Sequence, residues 1–171
     1  MSKEQGTGTN LKSSMDRLAS KDGMIRQKAR KSLVALGKPA VSFLIKALQD
    51  SKLDQVRWEA AKALGAISDA RSIPVLVEAL EDCDSDVTWL AAEALITFKK
   101  AAWPLLLQRL VERGAKSDVL RQGAHHVFRE QKAGGVRGVP TSLIEALDSN
   151  GDPESVPLAA SDLRRRLKGK P

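Results

Sequence analysis

The stretch DCDSDVTWLAAE sets Asp82, Asp84, Asp86 and Glu93 at the first, third, fifth and twelfth places of a calcium-binding loop. Oxygen donors at that spacing wrap a cation only if the chain turns sharply at the sixth place. Here that place is Val87 instead of glycine, and helical periodicity has already begun, so no metal is expected. His125 and His126 are adjacent and therefore point about 100° apart on a helix, whereas a shared metal needs an i, i+4 pair. His126 is expected to fill a small inward slot, with Gly123 one turn earlier making room, and His125 to face outward. The stretch KAGGVRGVP (132–140) presents Arg137 on a glycine-rich loop, as a phosphate site does. With no preceding strand and no nucleotide-binding pattern, it reads as a lengthened turn. The chain has no Gly-x-Ser-x-Gly elbow and no Cys–His pairing. No catalytic residue and no cofactor are expected.

Two tryptophans remain. VRWEAAKALG (56–65) returns thirty-one residues later as VTWLAAEALI (87–96), so Trp58 and Trp89 hold the same place in two copies of one string. Chemistry of contact is the expectation, and the elements that carry the two indoles decide it.

The chain has 171 residues, 4% aromatic, with no tyrosine. A core of Leu, Ala, Val and Ile suits close helix packing better than a β-sandwich. Cys83 is the only cysteine, which excludes an internal disulfide and a cysteine metal cluster and fits a reducing compartment. The opening MSKEQGTGTN lacks a secretory apolar region, and no apolar run reaches membrane-spanning length, so a cytoplasmic location away from membranes is expected. The net charge of +7 is uneven: residues 1–50 hold ten Lys/Arg against four Asp/Glu, while residues 51–100 hold six against nine. The terminal RRRLKGKP adds five cations, which suit a basic helix end but could also attract an acidic partner.

Aligned on the double alanine, four rows repeat: IRQKARKSL (25–33), VRWEAAKAL (56–64), VTWLAAEAL (87–95) and VLRQGAHHV (119–127), at offsets of 31, 31 and 32. A weaker fifth, SVPLAASDL (155–163), follows. Between them stand AVSFLIKALQD, SIPVLVEALED, AWPLLLQRLVE and VPTSLIEALDS. Both kinds are helical: Val56, Ala60, Ala63, Leu64 and Ile67 follow the i, i+4, i+7 rhythm, as do Ile73, Leu76, Val77 and Leu80. Asp54, Asp86 and Asp118 stand near helix starts, and Pro74 and Pro104 in first turns. Each unit is a helical hairpin that must stack on its neighbours to bury its apolar face. The expected fold is all-α, a right-handed α-solenoid of about five hairpins over residues 11–168. Disordered tails are expected at 1–10 and 169–171.

The string DQVRWEAAKALGAISDARSIPVLVEAL resembles the short HEAT-like repeats of phycobilisome-lyase type, D-x-x-V-R-x-x-A-A-x-A-L-G followed by an I-P-x-L-x-x-A-L helix. The likeness covers nearly the whole chain. It implies that the V-R-x-x-A-A helix lines the concave face and that the positions after V-R and A-A touch partners. Two departures stand out. Thr88 and Leu120 replace Arg57 in later rows, against a regular arginine ladder, and Val34, Ile96 and Phe128 replace Gly65, against sharp capping of those helices.

On a helical wheel the core positions centre near 40° and Trp58 falls near 200°, with Glu59 and Lys62 on the same outward side. Trp89, Leu90 and Glu93 repeat that arrangement, and Gln27, Lys28, Lys31 and Arg121, Gln122, His125 extend it at both ends. The result is an apolar centre between cationic ends. Two arrangements satisfy it: indoles exposed to a partner, or indoles lying in the groove between repeats. The expectation favours a non-catalytic, monomeric scaffold that binds a protein or peptide on this face. Nucleic acid is the alternative that the basic ends suggest, opposed by Glu59 and Glu93. A third, an accessory subunit of a bilin lyase or isomerase, is implied by the resemblance alone.

Overall fold

The computed structural model describes residues 2–169, with side chains from Asn10 onward. Ten α-helices lie in this span, with no strand among the described residues. They are α1 (Ser2–Arg17), α2 (Gly23–Leu36), α3 (Val41–Asp50), α4 (Asp54–Ile67), α5 (Ile73–Glu78), α6 (Ser85–Thr97), α7 (Trp103–Arg113), α8 (Asp118–Ala133), α9 (Thr141–Leu147) and α10 (Ser155–Lys168). Helix α1 begins at Ser2, inside the stretch 1–10 read from the sequence as a tail. Of the C-terminal tail, Lys170 and Pro171 lie outside the described residues.

The rows of the repeat become α2, α4, α6 and α8, which pack side by side in chain order as an inner layer; α3, α5 and α7 form the outer layer. This is an all-α solenoid. Its core is a continuous strip of small and branched residues, Leu33, Ala60, Leu64, Ala91, Leu95, Ala124 and Phe128 on the inner helices against Leu44, Leu76 and Leu106 on the outer ones. Local chemistry fixes the ends. Asp22, Asp84 and Ser117 accept backbone N–H groups as N-caps of α2, α6 and α8, while Pro39, Pro74 and Pro104 sit in short 3-10 turns or first helical turns, where a missing N–H costs little.

Gly65 is not a cap. Helix α4 runs through it to Ile67, and Ser68 ends the helix in the left-handed conformation. A Cβ on Gly65 would lie 2.8 Å from the Ala94 Cβ and 3.0 Å from its Cα, so glycine is there because α4 and α6 touch backbone to backbone.

The fourth row differs from the sequence alignment by one residue. Leu120 is fully buried where Val56 and Val87 are buried, Val119 is 44% exposed, and Phe128 matches Leu64 and Leu95. The offset is 33 instead of 32. With the shift, Arg121 falls in the place of Arg57, and a ladder appears that the unshifted alignment hid. Arg26 donates to the Ser20 carbonyl, Arg57 to that of Ser51, and Arg121 to those of Gly114 and Ala115, each tying the start of its helix to the preceding turn. In the third row Thr88 makes the same contact with a hydroxyl, to the carbonyls of Asp82 and Asp84.

The last hairpin is turned over. Helix α9 packs on α8, and α10 packs chiefly on α7 in the outer layer instead of continuing the inner one. The lengthened turn over 132–140 gives the chain its room to cross, and Val156 of α10 packs so closely on Gly114 that a Cβ there would lie 2.6 Å away.

Candidate functional site

An inner helix in the array has three covered faces: one toward its own outer helix and one toward each neighbouring inner helix. A wheel drawn for a single hairpin sees only the first, and this is why several expected surface residues are structural.

Glu59 is one. It is 7% exposed and points sideways toward α2, where Arg30 donates to it at 2.6 Å and Arg26 stands at 3.8 Å. Trp58 is another. It is half-buried, and its indole Nε1–H donates to Asp84 Oδ1 at 2.8 Å. The same oxygen accepts the N–H groups of Asp86 and Val87, so Trp58 buttresses the N-cap of the next inner helix. The Trp58 hydrogen bond is the main reason the Asp84 carboxyl lies below the usual carboxylate range. Arg121 is spoken for by its two carbonyls and by Asp118. His125 is half-buried with Asp148 at 3.9 Å. The apolar pair at the centre of the sequence pattern is therefore not a pair in space.

Trp89 stays exposed, at 53%. Its counterpart N-cap on α8 is Ser117, a short hydroxyl occupied with the Leu120 N–H, and among the described residues no acceptor meets the Trp89 indole nitrogen. The side chain that does meet it is His126, which the sequence placed in an inward slot. With the row shifted by one, His126 stands where Lys62 and Glu93 stand, on the open face. Its imidazole stacks on Trp89 at 4.1 Å between ring centroids, tilted by 31°, and donates Nε2–H to Glu93 Oε1 at 2.6 Å. Val127 takes the small core slot instead.

Beside this cluster a cleft of about 400 Å³ opens between α6 and α8. Trp89, Thr88 and Ala92 form one wall, Val119, Gln122, Gly123 and His126 the other, and Asp82, Cys83 and Ser85 its end. Gln122 also bonds Asp118 at 2.7 Å. A shallower groove between α4 and α6 is lined by Lys62, Gly65, Leu90, Glu93 and Thr97. Lys62, Lys28 and Lys31 are exposed, and Gln27 is half-buried on the same layer. Of the residues expected to form one surface, the structure gathers Lys62, Trp89, Leu90, Glu93 and Gln122 about α6. It adds His126, Val119 and Cys83, and leaves Gln27, Lys28 and Lys31 two helices away.

The calcium-like carboxylates are used elsewhere. Arg57 grips Asp82 through both carboxylate oxygens at 2.8 and 2.9 Å, and Asp84 caps α6. The Arg57 guanidinium is held above its usual range, first by that hydrogen bond. Among the described residues no three of His, Cys, Asp and Glu converge as a metal-holding group. No helix there is long and apolar enough to cross a membrane.

Sequence reasoning missed one buried polar unit. Trp103, fully buried, donates Nε1–H to Gln131 Oε1 at 2.7 Å, and the Gln131 amide donates to the carbonyls of Leu95, Ile96 and Lys99 at the end of α6. A glutamine among buried positions of α8 was its signal, legible only in the corrected register.

A stack of helical hairpins with a ladder of inward-tied arginines and an exposed inner layer defines an α-helical repeat protein. The family model for HEAT repeats matches residues 11–96, and the chain belongs to the HEAT-repeat family. That match ends at Ile96, before the row where the spacing lengthens. The chain is also similar to phycocyanobilin lyase subunit alpha of Nostoc sp., 32% identical over 126 residues, which is 70% of this chain and 42% of that protein. It thus spans less than half the length of that relative.

Proposed function

We propose that this chain is a non-catalytic scaffold of the cytoplasm that binds a protein or peptide partner on its concave face, with Trp89 as the anchor. One observation carries the reading. A tryptophan half open to solvent stands at the mouth of a cleft, stacked on His126, which Glu93 in turn holds, yet with no partner for its indole N–H among the described residues. Exposed apolar surface of that kind marks contact sites, and tryptophan is typical of interface centres. Trp58, tied to Asp84, belongs to the frame.

The Nostoc relative favours a second reading, an accessory subunit of a bilin lyase. In that case the partner surface would hold a catalytic subunit or the acceptor protein.

Affinity capture with the wild-type chain and its Trp89→Ala variant tests the first reading. A partner retained by the wild type should be held roughly thirtyfold more weakly by the variant, the equivalent of about 2 kcal/mol at an interface centre. Equal retention by both would remove Trp89 from the site. An absorbance change on mixing the chain with phycocyanobilin, an acceptor apoprotein and a partner subunit would select the second.

A further inference from the structure

The inner layer is covered at one end and bare at the other. At the C-terminal end α9 packs on α8. At the N-terminal end α1 buries Leu11, Ser14 and Leu18 at the spacing by which α3 buries Val41, Leu44 and Leu48, so α1 is the outer helix of the first hairpin. Among the described residues no inner helix precedes α2.

The later rows show what a preceding helix would cover. Ile25 holds the place of Val56, Val87 and Leu120, which are at most 9% exposed, yet Ile25 itself is 40% exposed. Met24 holds the place of Val119, a wall of the cleft toward α6, and is 61% exposed. Lys28 holds the place of Glu59, Leu90 and Gly123, and each of these faces the inner helix before its own. Glu59 does so through its ion pair with Arg30, and Leu90 and Gly123 as lining of the two grooves. The end unit of a repeat array needs a polar outer side, and here a core position stands open instead.

Charge selects what covers it. Helix α2 carries Arg26, Lys28, Arg30 and Lys31 and no carboxylate. Arg26 and Arg30 face the other way, onto α4, where the single carboxylate of Glu59 answers both. Lys28 and Lys31 are exposed and make no ion pair among the described residues. Asp22 is turned to its own helix, accepting the Met24 N–H at 2.8 Å, and Asp16 on α1 is exposed and bonds neither lysine.

A second copy of this chain does not suit the flank: its α2 repeats the same cations, and its α8 is already covered. Nucleic acid would answer the lysines but leave Met24 and Ile25 bare. An apolar stripe edged with carboxylates answers both. The contact between α2 and α4 gives the pattern, since Arg26 and Arg30, four residues apart, reach one opposite charge on the next helix. With the signs exchanged, two carboxylates four apart on a docking helix reach Lys28.

We propose that the bare flank of α2 receives an acidic amphipathic helix of a partner protein, which continues the inner layer by one helix. Its apolar stripe covers Met24 and Ile25, and its carboxylates meet Lys28 and Lys31. This surface is separate from the Trp89 cleft and does not depend on it.

The probe is an N-acetylated, C-amidated peptide of 14 residues, the length of α2, with leucines at i, i+3, i+4 and i+7 and glutamates beside them. One control has lysine for every glutamate, and a second has the same composition shuffled to destroy the stripe. A DNA duplex is the fourth titrant. The full chain is labelled with ¹³C at its three methionine methyls, Met24 being assigned with Met24→Leu, and the Trp89 indole N–H is followed alongside.

The glutamate peptide should shift the Met24 methyl saturably and leave the Trp89 indole unmoved. Lys28→Glu should weaken that binding at least fivefold and admit the lysine peptide, which the wild type refuses. Its melting temperature should match the wild type, because Lys28 is exposed. Trp89→Ala should bind the glutamate peptide as the wild type does, which keeps the two surfaces apart. A shuffled or lysine peptide that shifts Met24 of the wild type as strongly would overturn the proposal. So would a duplex that binds there more tightly than the peptide, or a Met24 shift that follows protein concentration alone. If the glutamate peptide moves Trp89 and not Met24, or no titrant moves Met24, the flank is a bare end of the array and the proposal fails.

Discussion

Trp58 and Trp89 occupy one repeat position and should respond to alanine in opposite ways. Trp58→Ala removes a half-buried indole and the N–H that supports Asp84 at the N-cap of α6. Complete burial of a tryptophan is worth about 3–5 kcal/mol on truncation, so half-burial accounts for about 2. A hydrogen bond to a carboxylate adds about 1.5 where its loss leaves Asp84 short of a donor. The expected cost is about 3.5 kcal/mol, a fall of about 7–14 °C in melting temperature for a chain of this size. Trp58→Phe keeps most of the ring and loses only the N–H, so about half of that fall should remain. Trp89→Ala loses a stack on His126 but little burial, and should cost about 1 kcal/mol or less. Melts of the three variants, followed by circular dichroism and calorimetry, give the ranking directly. Trp89→Ala falling as far as Trp58→Ala would refute the division into frame and site, and with it the choice of anchor.

Three further outcomes follow from the same contacts. Gly65→Val should destabilise by roughly 1–3 kcal/mol in denaturant unfolding, because its first carbon already meets the Ala94 backbone and α4 must move off α6. Gln131→Ala should cost about 2–3 kcal/mol by stranding the buried Trp103 N–H and removing a side-chain donor from the turn after α6, whereas the paired change Trp103→Phe/Gln131→Leu should lose less than the sum of its parts in a double-mutant cycle. Acid should weaken the fold. The Asp69 carboxyl is lowered to about 2, first by the Arg71 side chain and then by its backbone N–H. Asp84 is lowered as well, and Glu81, which burial pushes up, is brought below its usual range by hydrogen bonds from Ser117 and Arg113 and the charge of Arg109. Carboxyls depressed by folding contribute stability that is complete above their unfolded range and is lost as pH falls through their folded values. Stability should therefore hold above about pH 5 and decline from about pH 4 toward pH 2, and a flat profile of unfolding free energy over that window would contradict these contacts.

The hairpins and their stacking were legible because alanines and leucines recur at helical spacing in three rows with equal offsets; the inner position of the V-R-x-x-A-A helix was implied only by the resemblance to HEAT-like repeats. The fourth row was misread because Gly123–Ala124 imitates the double alanine. The steadier marker is the N-cap, four residues before Arg26, Arg57, Thr88 and Arg121 alike. Reading from Ser117 would have put His126, not His125, on the open face. The different fates of Trp58 and Trp89 were not legible from their own strings, which match; they depend on what caps the next inner helix, Asp84 in one case and Ser117 in the other. The turned-over last hairpin has no local signature beyond the longer 132–140 segment, since either layer would accept the apolar face of α10.

Arg57 holds two turns at once: its own, through the Ser51 carbonyl, and the next, through both oxygens of Asp82, where Thr88 supplies only a long hydroxyl contact. Repeat arrays often open one unit at a time, with protection against hydrogen exchange fading from the ends inward. Here the amides of α4 and α6 should exchange as one block, since one guanidinium ties both turns together. Arg57→Ala should split that block into two populations with separate opening free energies, leaving the helix that carries Trp89 the more readily opened of the pair.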